Sequence, residues 1–276
     1  MSKNKVAFIV EGSRTEPQIV ENLRKCIFVN LDIEVITLSY SFNIYQLWLA
    51  LNEYNFNADL IDIINEKNKN NKAYLKKFGT LKSEKFSEVY LFFDYDGHQR
   101  NLPLGINGDE VIKEMLKTFN NETELGKLIV SYPMVEAIRD YSEERGICFR
   151  CISEAHINCR YKEQTSDFVK FQNINNLDEN DWNELLIIFL RRCTCLLGLA
   201  NWSDYVNKEI TPEIIFDHQF KNFIEPYKKV LVLSAFAEFL VEFYGRYLFN
   251  ENNEFVFLGI LKKLNHNIWG RISRNN

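Results

Sequence analysis

Two aspartates separated by one tyrosine close an apolar run in "FFDYDG", residues 92–97. Side chains alternate along a strand, so Asp94 and Asp96 point the same way where the chain leaves the core. Two further apolar runs end in acid. "KVAFIV" (5–10) stops at Glu11-Gly12 with Glu16 one helical turn on, and "GKLIVSYP" (126–133) leads to Glu136. Carboxylates gathered at one edge repel one another in a low-dielectric site unless some take up protons or a divalent cation neutralises them. Oxygen-only ligands of this kind select magnesium or manganese. Each acid alone also has an ordinary explanation: a strand end for Glu11, a helix-start acid favoured by the macrodipole for Glu16, a surface carboxylate for Glu136. The aspartate pair resists it, because two acids directly after "VYLFF" must sit at the rim of a buried strand, where function concentrates.

For these acids to meet, their strands must run parallel and side by side. The nearly apolar runs at 5–10, 32–39, 87–96 and 126–133 predict four strands. Helical spacing separates them at 15–27, 43–54, 59–70 and 108–119, the first with Thr15 as cap, Pro17 in the opening turn and Gln18 completing a capping box. Strands alternating with helices, each strand apolar throughout, predict an α/β fold: a parallel sheet covered on both faces. After about residue 165 the rhythm becomes helical, at 179–199, 211–224 and 233–248. The expected organisation is therefore an α/β unit over 1–164 and a helical C-terminal region over 165–276, as a small domain or as an elaboration packed on the sheet. Phe236, Phe239, Phe243, Tyr244 and Tyr247 are expected in its core.

Of the 276 residues 46% are hydrophobic, enough for one large core or two modest ones, and the formal charge of −5 excludes a globally basic, nucleic-acid-coating surface. Any phosphate contact must be local or carried by metal ions. The N-terminal run is too short for a signal peptide. The most apolar later stretch, 185–200, is interrupted by Arg191 and Arg192, so no membrane span and a cytoplasmic location are expected. Six cysteines then read as reduced thiols. Cys148, Cys151, His156 and Cys159 have the spacing C-x2-C-x4-H-x2-C of a loose zinc knuckle. Positions three apart in a strand face opposite ways, however, so the preferred reading is buried cysteines beside a strand.

"VAFIVEGSRTEP" (6–17), "VYLFFDYD" (89–96) and "LIVSYPMVEAI" (128–138), in that order, resemble the Toprim domain, and the E-G-x-x-T-E-P spacing is closest to the nuclease branch of OLD-family and RloB-like phage-defence proteins. The resemblance covers roughly residues 5–162. It implies that Glu11 is a metal ligand or general base, that Asp94 and Asp96 hold magnesium, and that Glu16 and Glu136 complete a second metal position. It also implies a basic residue beyond the last strand to stabilise the leaving group, for which Lys162 is the candidate with Arg160 behind it. His98 stands where many members carry a small or acidic residue. The chemistry implied is hydrolysis of a phosphodiester by two Mg2+ (or Mn2+) ions roughly 3.5 to 4 Å apart. Arg100, Arg160, Lys162 and His98 are the expected substrate contacts, with Lys82 and Lys85 guiding the backbone of a DNA or RNA substrate. An ATPase partner from the same defence system is implied as well, and a homodimer is left open.

Two rivals remain at this stage. A haloacid-dehalogenase-type phosphatase also begins with an apolar strand and D-x-D-G, but "FFDYDG" is followed by His98 in place of threonine and leaves Glu11 and Glu136 without a role. A non-catalytic Toprim-like subunit of an ATPase-containing complex is the other.

Overall fold

The computed structural model describes residues 4–82, 85–95, 102–140, 152–154, 160–167 and 170–263. Its centre is a five-stranded sheet in the order β2-β1-β3-β5-β4. Strands β1 (Asn4–Val10), β2 (Ile33–Ser39), β3 (Glu88–Asp94) and β5 (Gly126–Ser131) are parallel, and the two-residue β4 (Asn120–Asn121) runs antiparallel to β5 at the edge. The fold is thus α/β with a mostly parallel sheet. The strand expected fourth is fifth because β4 precedes it. Gly126 makes that tight return with φ of +113°, and a side chain there would come within 2.7 Å of Leu91 Cδ1.

Helices cover both faces, which is why the strands read as continuous apolar runs. Register places Phe8, Tyr90, Phe92 and Ile129 on one face and Ile9, Leu91, Phe93 and Val130 on the other. The second face carries α2 (Ile44–Asn52), α3 (Leu60–Lys67) and α5 (Gly108–Thr118), with Trp48 of α2 donating to Glu114 of α5 at 2.6 Å. The short α4 (Lys72–Phe78) follows α3. Helix α1 (Thr15–Cys26) lies against the first face, where Phe28 just beyond it meets the Phe8 ring. Its start differs from the expected capping box: Thr15 is the first helical residue, Arg14 holds the cap position, and no side chain caps it.

The remaining elements are α6 (Tyr161–Gln164), α7 (Glu179–Leu197), α8 (Asp204–Asn207), α9 (Pro212–Gln219), α10 (Glu225–Tyr227), α11 (Ala235–Tyr244) and α12 (Phe257–Lys263), with β6 (Ile152–Glu154) and β7 (Lys229–Leu231) forming a small antiparallel ribbon. Helix α11 runs down the first face of the sheet. Phe239 packs edge-on against Phe8 at 5.0 Å, Tyr90 at 4.8 Å and Phe92 at 5.7 Å, and Phe236 stacks on Phe92 at 4.4 Å. Phe236, Phe239, Phe243 and Tyr244 are buried, whereas Tyr247 is exposed. Helix α7 and the segment just before it are tied to α1 by two buried bonds, Trp182 to Asn22 at 2.7 Å and Asn22 to the Leu177 carbonyl at 2.8 Å. One apolar core runs through both the α/β segment and the helices after residue 170. Among the described residues no helix is long and apolar enough to cross a membrane.

Candidate functional site at the carboxyl edge of the sheet

In an open parallel sheet the crevice for a ligand forms beyond the strand carboxyl ends, where the strand order reverses. Here β1 leads to β2 on one side, and the chain then returns to β3 on the other. The reversal lies between the tips of β1 and β3, the tips that carry Glu11 and Asp94. Glu11 continues the ladder, donating its N–H to the Phe92 carbonyl at 3.1 Å. Its carboxylate folds over the neighbouring tip, where Oε2 accepts the Asp94 N–H at 3.1 Å. Asp94 is half-buried and sits in register with Ser131 of β5, on the sheet face covered by α11. Ser131 Oγ in turn accepts the N–H of Ala235, the first residue of α11, at 3.3 Å.

A second group of charges stands beside the first. Glu16, in the opening turn of α1, is buried and turns back so that Oε1 accepts the Gly12 N–H at 2.7 Å. A side chain at position 12 would lie 2.5 Å from Glu16 Oε2 and would displace the carboxylate from this position. Burial pushes the Glu16 carboxyl pKa up. The backbone N–H groups of Glu16 and Gly12 oppose the rise, the charge of Glu136 adds to it, and Lys162 counters it. Glu136 lies in the 3-10 turn Val135–Arg139 that follows β5, and it too is buried. Lys162 of α6 reaches in from solvent, with Nζ 3.3 Å from Glu136 Oε1. The exposed Arg160 pairs with Glu163 at 3.4 Å.

Four of the five carboxylates expected at the site, Glu11, Glu16, Asp94 and Glu136, thus belong to the carboxyl edge, with Lys162 beside them. Asp96, His98 and Arg100 lie outside the described residues, as do Cys148, Cys151, His156 and Cys159. Lys82 and Lys85 are a correction. They precede β3, and Ser87 bonds to Lys5 at the start of β1, so they stand at the opposite edge, about 20 Å away along a seven-residue strand. Among the described residues no three His, Cys, Asp or Glu side chains are grouped closely enough to hold a metal ion. The chemistry of the donors, all oxygen, with the pKa of buried Glu16 raised further by Glu136, suits a hard divalent cation.

A scaffold invisible in the motifs holds Glu136 and Lys162. Arg192 of α7, fully buried, donates to the Asp140 carbonyl at 2.8 Å, to Asp140 Oδ1 at 3.2 Å and to the Val232 carbonyl at 3.0 Å. Tyr161 donates to Asp140 Oδ2 at 2.8 Å. Asp140 directly follows the turn bearing Glu136, and Tyr161 precedes Lys162, so one buried node braces the segments that carry both members of the Glu136–Lys162 pair. The signal for it was a charged residue on the apolar side of a helix, between Phe189 and Cys193. Compared with known protein families, curated proteins and solved structures, the chain matches none.

Proposed function

We propose that the protein is a divalent-metal-dependent nuclease with a Toprim-like catalytic unit, hydrolysing phosphodiester bonds of DNA or RNA in the cytoplasm as an effector of anti-phage defence. The observation that carries this reading is the Glu11 carboxylate seated on the Asp94 N–H at the strand-order reversal, with Glu16, Glu136 and Lys162 alongside. Glu11, Asp94 and the neighbouring Asp96 would hold one Mg2+ or Mn2+, and Glu16 and Glu136 a second. When bound, such ions activate water and stabilise the departing oxygen of a phosphodiester.

The chain's own groups have separable tasks. The Asp94 amide fixes the Glu11 carboxylate by one oxygen. Gly12 lets Glu16 turn inward, and the Gly12 N–H holds it there. The Lys162 ammonium, mobile on its exposed stem, is the proton donor or charge partner for a leaving oxygen, and Glu136 holds it at the rim. Association with an ATPase partner belongs to the same reading.

The test is cleavage of plasmid DNA, messenger RNA and transfer RNA with Mg2+ or Mn2+ by the wild type, Glu11→Gln and Asp94→Asn. Each variant is expected to lose about 10²–10⁴-fold in rate, the range for removal of an acid–base group, while melting like the wild type. Wild-type rates in both variants overturn the reading. Hydrolysis of a generic phosphomonoester, abolished only by Asp94→Asn, would replace it with the phosphatase.

A further inference from the structure

Two buried or half-buried arginines flank the Asp140 segment, and they are treated in opposite ways. Arg192 is pinned by three hydrogen bonds. Arg139 is half-buried, and among the described residues its side chain makes no ion pair, hydrogen bond or ring contact. Its Nε is sealed from solvent and has no hydrogen-bond partner among the described residues. Keeping a guanidinium partly desolvated with an unmet donor costs stability, and a fold has no internal reason to retain it.

The local geometry says where this side chain points. Arg139 closes the 3-10 turn Val135–Arg139, and in a 3-10 helix residues three apart eclipse each other on one side. The residue three before it is Glu136, whose carboxylate faces Lys162 and the Glu16 carboxylate. Arg139 therefore projects on the side of the turn that faces the charged site. It does not pair with Glu136, whose Oε1 is taken by Lys162 at 3.3 Å. A planar donor fork left unpaired beside a carboxylate cluster is matched by an oxyanion from outside the chain, and a phosphodiester presents two non-bridging oxygens to such a fork.

We infer that Arg139 is a substrate contact that binds a backbone phosphate of the nucleic acid beside the Glu16–Glu136–Lys162 group. This inference rests on the nuclease reading. It supplies the local cationic contact that a chain of net charge −5 needs, and it uses a residue without an ion pair or hydrogen bond among the described residues.

The test is binding of the full chain to fluorescein-labelled single-stranded 20-nucleotide DNA and RNA, followed by anisotropy in EDTA from 50 to 200 mM salt. Arg139→Gln is expected to weaken binding of the oligonucleotide that the wild type prefers by about tenfold or more, as for a charge-assisted hydrogen bond. It should also lower the slope of log affinity against log salt by about 0.7, the value for one single-strand phosphate. Arg139→Lys should restore the slope but only part of the affinity, because an ammonium keeps the charge and loses the fork. Thermal melting of Arg139→Gln should stay close to the wild type, since no ion pair or hydrogen bond among the described residues is lost; a purely structural role predicts a lower melting point with an unchanged salt slope. A variant that binds with wild-type affinity and slope overturns the inference and leaves the nuclease reading standing. A wild type that binds neither oligonucleotide and cleaves no nucleic acid removes both.

Discussion

Two lysine–glutamate pairs with nearly equal separations do opposite work in this molecule. Lys162 and Glu136 stand 3.3 Å apart at the carboxyl edge with the lysine side chain 73% and the glutamate 4% exposed. Lys127 and Glu242 stand 3.0 Å apart between β5 and α11 with the lysine 20% and the glutamate 12% exposed. Around the first pair the other carboxylates are held by backbone N–H groups of Gly12 and Asp94. Near the second, Glu238 is fully buried and its carboxyl oxygens meet no hydrogen-bond partner among the described residues. Distance alone therefore says little about an ion pair. A pair whose lysine stands in solvent is free to exchange that cation for a ligand, whereas a pair with both members enclosed must be satisfied by the fold or by protons.

The largest effect should come from the closed pair. Lys127→Met leaves Glu242 and Glu238 buried without a cation and is expected to cost about 3–5 kcal/mol in urea unfolding. A cost below about 1 kcal/mol would make the two pairs equivalent and break the comparison. Next, Mn2+ at a hundred times its dissociation constant should stabilise the wild type by about 2.7 kcal/mol, an increment greatly reduced in Asp94→Asn and retained in Glu238→Gln. Equal stabilisation of both variants would place the cation away from the carboxyl edge.

The pH response should follow the closed region. Burial pushes the Glu238 carboxyl well above its ordinary value of 4.5; Glu242 adds to the rise and Lys127 opposes it. The groups that face Glu238 are Glu242 on its own helix, Lys127 on β5, Tyr132 beyond it, Cys193 on α7 and Tyr205 on α8. A raised folded-state pKa means that the folded chain holds the extra proton. Its contribution is complete below the unfolded value near 4.5 and is lost as pH climbs through the folded value. Glu238→Gln should flatten this decline and stabilise the protein above it by about 1–3 kcal/mol, measured as melting temperature against pH. The smallest stability effect is Lys162→Met, expected below about 1 kcal/mol because its ammonium is solvated, while nucleic-acid cleavage falls in the same variant.

What was legible in the chain follows the same division between local and tertiary causes. Strands β1, β2, β3 and β5 announced themselves because both faces are covered and few positions needed to be polar. Glu11 and Asp94 could be placed on one edge because parallel strands share a carboxyl end. The capping box at Thr15 failed because spacing says which residues are able to cap, and here the Gln18 N–H that Thr15 would have to accept donates to the Arg14 carbonyl instead. Strand β4 was hidden, since two asparagines have poor strand propensity and pair only through the register of Gly126 and Lys127. Lys82 and Lys85 were misplaced because closeness in sequence to an acidic strand does not say which end of it they occupy. Arg192 left a trace as a charge within an apolar helix; Arg139 left none, because the turn that aligns it with Glu136 is not visible as a periodic pattern.

The aromatic face formed by Phe8, Tyr90 and Phe92 is roofed by Phe236 and Phe239, more than 140 positions later in the chain. During synthesis the sheet strands leave the ribosome long before their cover does, so the nascent chain exposes a sticky ring surface for most of its translation. Only when α11 arrives is that surface closed, and Ala235 then settles onto Ser131 beside Asp94. The acidic edge is thereby completed last, and a chain released before α11 would carry the strand tips without the helix that braces them.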